Sequence, residues 1–122
     1  MFEPCPCGGA TYLSCCAPLH LAQLEAETPE RLMRARYSAF ARADAGFVHR
    51  SWSPETRPAR LQPLGPQRWR GLTIERTEMR GKKSGIVAFS ARYEHEGREG
   101  VLRETSVFRK EAGRWFYLRA EA

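Results

Sequence analysis

Four cysteines, Cys5, Cys7, Cys15 and Cys16, crowd into one short run, CPCGGATYLSCC, and the chain has no others. Four thiolates held about 2.3 Å from one metal would pull such a peptide into a closed knuckle. Pro6 stiffens the first pair, and Gly8 and Gly9 let the backbone curl toward the sulfurs. Cys15 and Cys16 are adjacent, so a bend or a helical start must turn one of them. Deprotonated sulfur is soft and selects zinc or an iron–sulfur cluster over magnesium or calcium. Disulfides fit poorly, because Cys5–Cys7 and Cys15–Cys16 rings would be very short and strained. Met1-Phe2-Glu3-Pro4 also lacks the basic and apolar regions of a secretory signal. The spacing therefore favours Zn²⁺. An iron–sulfur cluster, whose cysteines usually lie two or more residues apart, and redox-active or free thiols are the alternatives. Four sulfurs leave zinc no open position, so the expected site is structural rather than catalytic. His20 could replace one sulfur, but an exposed or locally capping histidine is the preferred reading.

A chain of 122 residues accommodates one domain plus a small appendage. The expected division is a knuckle over 1–20 and a second unit over 21–122. No stretch approaches the roughly 20 apolar residues of a membrane span, so a cytoplasmic protein with reduced thiols is expected. The formal net charge is +6, and four thiolates on one Zn²⁺ would lower it to about +4. Arginine outnumbers lysine, and arginine favours carboxylate, phosphate and aromatic faces, although a biased base composition gives the same excess.

Thr28 reads as a helix cap with Pro29 at the first helical position. The helix is expected to reach about Asp44, with Leu32, Met33, Tyr37, Phe40 and Ala41 on one apolar stripe. Arg31, Arg34 and Arg42 lie mostly off that stripe, and Arg36 lies at its edge. Asp44-Ala45-Gly46 breaks the helix and can start a shorter one through Phe47, Val48 and Trp52. Four prolines make Ser53 to Pro66 irregular. Beyond Trp69 the period becomes two. Leu72, Ile74 and Arg76 share one face of a first strand, and Val87, Phe89, Ala91 and Tyr93 one face of a second. Leu102, Glu104, Ser106 and Phe108 share a face of a third, and Arg114 to Leu118 form a fourth. Helices followed by a strand meander make an α+β fold, a curved antiparallel sheet packed on N-terminal helices.

CPCGGATYLSCC resembles the SEC-C motif, the zinc-binding segment at the C-terminus of the preprotein translocase motor. With LMRARYSAFARADAGFVHRSW, WRGLTI, GIVAFSARY, RETSVF and GRWFYL, essentially the whole chain looks like the YchJ family. That resemblance implies a cone similar to nuclear transport factor 2, preceded by a zinc knuckle. The run departs from the usual motif in having seven residues, Gly8 to Ser14, between its cysteine pairs where eight are common. It also reads GGA where GSG or GSA is usual. SEC-C segments elsewhere dock chaperones, ribosomes or membranes, which by analogy implies an interaction role here.

Glu104 is expected to point into the cone, where a carboxylate needs a partner, and Arg36 is the natural one. Arg36, Tyr37, Glu104 and Ser106 could form a ligand or acid–base site, though a buried ion pair fixing helix to sheet is the preferred reading. His49, beside Trp52, could act as a base in such a pocket, with a solvated or satisfied histidine as the plainer reading. Arg50, Arg57, Arg60, Arg68 and Arg70 interleave with Trp52 and Trp69, opposed only by Glu55, as in some single-strand RNA binders. A solvated loop whose tryptophans fold into the core is preferred. The functional expectation is a zinc-binding interaction module whose knuckle docks a protein or ribosomal partner. The alternative is a small-molecule-binding protein or enzyme using the pocket around Arg36 and Glu104.

Overall fold

The knuckle run leads straight into a one-turn helix, α1 (Ala17–His20), with Cys16 at its N-cap, so the adjacent cysteines are turned by a helix start. This computed structural model describes residues 3–121. Helix α2 (Pro29–Ala41) begins where its cap residues place it, with the Thr28 side chain accepting a hydrogen bond from Arg31 N–H. It stops earlier than the expected Asp44. Ala43 adopts φ +59°, and the Asp44 and Ala43 N–H groups turn back to the carbonyls of Ala39 and Phe40. That is a Schellman ending, which closes the helix regardless of the apolar pattern beyond it. Asp44 then caps α3 (Ala45–Arg50) by accepting from Phe47 N–H.

Four strands follow, β1 (Arg68–Met79), β2 (Ser84–His95), β3 (Arg98–Glu111) and β4 (Arg114–Ala120), in one sheet of order β1-β2-β3-β4. Every neighbouring pair is antiparallel. Both residues of the Glu96-Gly97 and Ala112-Gly113 turns have positive φ, as in the two-residue hairpins that match strand twist. Register shifts interrupt β1 between Trp69 and Gly71 and between Ile74 and Arg76. A third lies at Leu118, where Val107 pairs with Arg119 and Phe108 with Tyr117. Each bulge bends its strand and reverses the facing of the residues beyond it. Arg76 therefore pairs with Ala88, and leaves the face it was expected to share with Leu72 and Ile74, which pair with Ala91 and Phe89.

The concave face supplies Val87, Phe89, Ala91, Phe108 and Trp115 to a buried cluster with Leu32, Met33 and Tyr37 of α2. Cys5, Cys7, Cys16 and Leu19 belong to that same cluster. The burial of α2 exceeds its predicted stripe. Ala35, Ser38 and Ala39 are fully buried, while Ala41 is exposed. The sheet covers one side of the helix and the knuckle covers another. No helix among the described residues is long and apolar enough to cross a membrane.

Ala43 holds a left-handed conformation that glycine adopts without steric cost. Ala43→Gly is expected to stabilise the fold by about 1 kcal/mol in denaturant titration. An unchanged or lower midpoint would show that the helix ending is set by something other than this residue's backbone.

Candidate metal centre and cone cavity

The knuckle closes through its backbone before any metal is considered. Gly8 N–H donates to Cys5 carbonyl at 3.0 Å, and Cys15 and Ala17 N–H donate to Tyr12 carbonyl at 3.1 and 3.0 Å. Gly8 has φ +101°. At Gly9 a side chain has no room, since a Cβ there would lie 2.5 Å from Cys15 Sγ. These turns bring the four sulfurs within 4.8 Å of one another. Cys7 lies 3.6 Å from Cys15 and 3.7 Å from Cys16, and Cys15 and Cys16 lie 4.0 Å apart. A tetrahedron with metal–sulfur bonds of 2.3 Å has edges of about 3.8 Å. The donor set therefore fits a tetrahedral thiolate site, and the seven-residue turn retains that spacing.

Bare sulfurs this crowded cannot all ionise. The Cys7 thiol pKa falls to about 4, chiefly through its hydrogen bond with Cys16. Cys15 is pushed up to about 11 by burial and by Cys7. Cys16 is driven up further by its hydrogen bond to Cys7 and by burial. One negative charge is thus accommodated readily, and ionising the others calls for a bound metal cation.

The surroundings of the sulfurs come from a single stripe of α2. Arg31 Nη1 and Nη2 lie 3.5 and 3.6 Å from Cys16 Sγ, and Nη2 also lies 3.6 Å from Cys15 Sγ and donates to Cys15 carbonyl at 2.5 Å. Arg34 Nη1 donates to Cys7 carbonyl at 2.9 Å. The buried Ser38 hydroxyl lies 3.2 Å from Cys16 Sγ and 3.4 Å from Cys5 Sγ. Arg42 stacks over the Tyr12 ring at 3.7 Å. Such outer donors orient metal ligands and offset their charge.

His20 differs from its expected exposed or capping role. It is buried, with Nε2 2.8 Å from Ala35 carbonyl and Nδ1 2.7 Å from Tyr12 Oη. The carbonyl only accepts, so Nε2 carries the proton and Nδ1 accepts from the Tyr12 hydroxyl. Burial lowers the His20 pKa and favours this neutral form. His20 therefore ties knuckle to helix and stands outside the four-sulfur group.

On the other side of α2, Arg36, Glu104 and Ser106 line a cavity of about 160 Å³ together with Met33, Trp52 and Tyr117. Tyr37 lies elsewhere, with its ring packed edge-on against Trp69. The expected Arg36–Glu104 ion pair does not form. Arg36 Nη1 donates to Val48 carbonyl at 2.9 Å and to Ser51 Oγ at 2.7 Å, and its guanidinium stacks over Tyr117 at 4.4 Å. Glu104 Oε2 accepts instead from Ser106 Oγ at 2.6 Å and Tyr117 Oη at 3.2 Å. Arg36 is turned toward α3, which draws it away from the strand. Burial lowers its pKa to about 10, against the pull of Tyr117 and Glu104, so it stays charged at neutral pH. Burial and the Glu104 charge push the Tyr117 phenol up to about 12.

His49 lines a separate, smaller cavity under Pro58 and Pro63. Trp52 meets Tyr117 edge-on, and Trp69 meets Tyr37, Phe40 and Tyr93. Arg50 donates to His20 carbonyl, Arg57 to His49 carbonyl, and Arg70 pairs with Glu94. Both tryptophans therefore have aromatic partners inside the protein, while Arg60 and Arg68 are exposed.

Sequence reasoning overlooked Arg31, Arg34, Ser38 and His20 as supports of the sulfurs. The available signal was the second helical stripe, positions 31, 34, 35, 38 and 42, which puts a serine and three arginines on one face.

Fold and site together define a four-cysteine knuckle seated on the helix of a helix-backed antiparallel sheet. Residues 28–120 match the family described as YchJ, middle NTF2-like domain. A UPF0225 protein of Xanthomonas oryzae pv. oryzae is 47% identical over 122 residues, covering 97% of this chain and 94% of that protein. A UPF0225 protein of Deinococcus radiodurans is 44% identical over 121 residues, covering 98% and 89%. The solution structure of a SEC-C motif containing protein from Rhodopseudomonas palustris superposes with a TM-score of 0.86 at 33% identity, covering 98% of both chains. A crystal structure of a SEC-C motif containing protein from Psychrobacter arcticus shares the fold, with a TM-score of 0.82 at 24% identity over 95% of this chain and 80% of that one. The chain belongs to the YchJ family.

Arg31→Met removes the N–H groups nearest two sulfurs while keeping an unbranched side chain. Metal affinity, read by Co²⁺ charge-transfer bands in competition with a chelator, is expected to fall by roughly 10–100-fold. Unchanged affinity would mean that Arg31 packs against the knuckle without supporting its ligands.

Proposed function

We propose that this chain is a cytoplasmic zinc-binding interaction module whose knuckle docks a protein or ribosomal partner. The observation that carries this reading is the closed set of four mutually adjacent sulfurs. A metal with four thiolates has no free position for substrate, so its work is to hold a shape. That shape presents Leu13 at 68% exposure, on the knuckle turn, with Leu21 and Leu24 exposed just after α1. Beside them, Leu19, Leu24, Glu25, Glu27, Thr28 and Arg31 line an open depression of about 350 Å³. Exposed leucines rimmed by charge suit a docking surface better than a solvated one. The exposed Arg60 and Arg68 would favour a ribosomal particle over an uncharged partner.

Sedimentation of lysate through sucrose gradients tests this. The protein is expected to travel with ribosomal particles at low salt and to be released at high salt, and Leu13→Ser, Leu21→Ser is expected to abolish the low-salt co-migration. Migration as a small free protein at both salts would remove the ribosome. Co-migration unaffected by the double substitution would remove the knuckle leucines.

A second reading, a small-molecule-binding protein or enzyme using the pocket around Arg36 and Glu104, is favoured by one observation. Among the described residues, Arg36 is buried with two neutral acceptors and no carboxylate at ion-pair distance. An ionised side chain in that position costs stability that the interior does not fully return.

A further inference from the structure

The cavity beneath α2 carries two opposite charges that do not touch. Arg36, 4% exposed, hydrogen-bonds through Nη1 alone, so among the described residues its Nε and Nη2 have no acceptor. Glu104 is half-buried, and its two donors, Ser106 and Tyr117, both engage Oε2, leaving Oε1 without a partner among the described residues. Both side chains line the same space. The Tyr117 ring lies under the guanidinium while its hydroxyl holds the carboxylate. The remaining walls are Met33, Phe40, Phe89 and Leu102, with the Trp52 indole, whose buried Nε1 has no partner among the described residues. A volume of about 160 Å³ is below the ~300–1,000 Å³ of drug-sized sites and suits a small metabolite.

We infer that this cavity binds a small zwitterion of the amino-acid type, its carboxylate on the free N–H groups of Arg36 and its ammonium on the free oxygen of Glu104. The inference rests on the small-molecule reading of the cavity and names the class of its ligand. Each end of such a molecule satisfies a group that the protein leaves open, and its apolar part lies against the aromatic walls. A molecule with only one charge leaves the opposite group without a counter-charge and part of its hydrogen-bonding capacity unused, which disfavours it.

Four probes of similar shape separate the possibilities: phenylalanine, its amide, which lacks the carboxylate, hydrocinnamate, which lacks the ammonium, and toluene, which lacks both. Binding is followed by NMR at the Trp52 indole N–H of the full chain. Phenylalanine is expected to bind at least about tenfold tighter than either singly charged probe. Glu104→Gln, which keeps the side-chain shape, is expected to abolish the preference of phenylalanine over hydrocinnamate. Equal binding of all four probes, or tightest binding of toluene, would overturn the zwitterion while leaving a small-molecule site. An indole signal unmoved by every probe at millimolar concentration would overturn both. A preference for phenylalanine that survives Glu104→Gln would overturn the role assigned to Glu104.

Discussion

The structure turns on the contact between the cysteine knuckle and one stripe of helix α2. Helix packing usually buries one face and leaves the other to water. Here α2 has the sheet on one side and the sulfurs on another, so Ala35, Ser38 and Ala39 are buried along with Leu32, Met33 and Tyr37. Arg31 and Arg34 reach the knuckle from positions that would otherwise be solvated. The His20 ring, at the end of α1, completes the join by donating to the Ala35 carbonyl of α2. A metal in the knuckle would therefore order more than the peptide that binds it.

Electrostatics gives the join its direction. Four thiolates around a divalent cation carry a net negative charge, and the side chains nearest them are the cationic Arg31 and the neutral hydroxyl of Ser38. Without a cation, Cys15 and Cys16 hold their protons, as their raised pKa values indicate. The guanidinium of Arg31 then faces two neutral thiols and is held by the Cys15 carbonyl and the more distant Cys7 charge alone. Structural zinc can contribute on the order of 10 kcal/mol to folding a knuckle, a quantity comparable to the whole stability of a small domain. Metal content and the order of α2 are coupled on this account.

The sequence made the cysteine cluster and the architecture readable because both rest on local signals. Cysteine spacing needs no tertiary information, and the caps at Thr28 and Asp44 and the turns at Gly97 and Gly113 are written in short stretches of chain. The misreadings share a cause. The facing of Arg76 depends on a bulge that alternation does not register. The end of α2 is set by the backbone of Ala43, an alanine in a conformation that usually announces itself with glycine. The pairing of Arg36 with Glu104 follows from opposite charge and the edge of the apolar stripe, yet the guanidinium bonds neutral acceptors at Val48 and Ser51 and stacks on Tyr117 instead. His20 and Ser38 became supports of the knuckle only once the fold brought α2 against it.

The most direct test is hydrogen exchange along α2, measured beside the metal content of the same sample. The account predicts one zinc per chain, and after chelation a loss of protection at the buried positions from Ala35 to Ala39 that re-added zinc restores. A chain that contains no metal, or one whose α2 amides are equally protected with and without it, would contradict the claim that the knuckle and this helix stand or fall together.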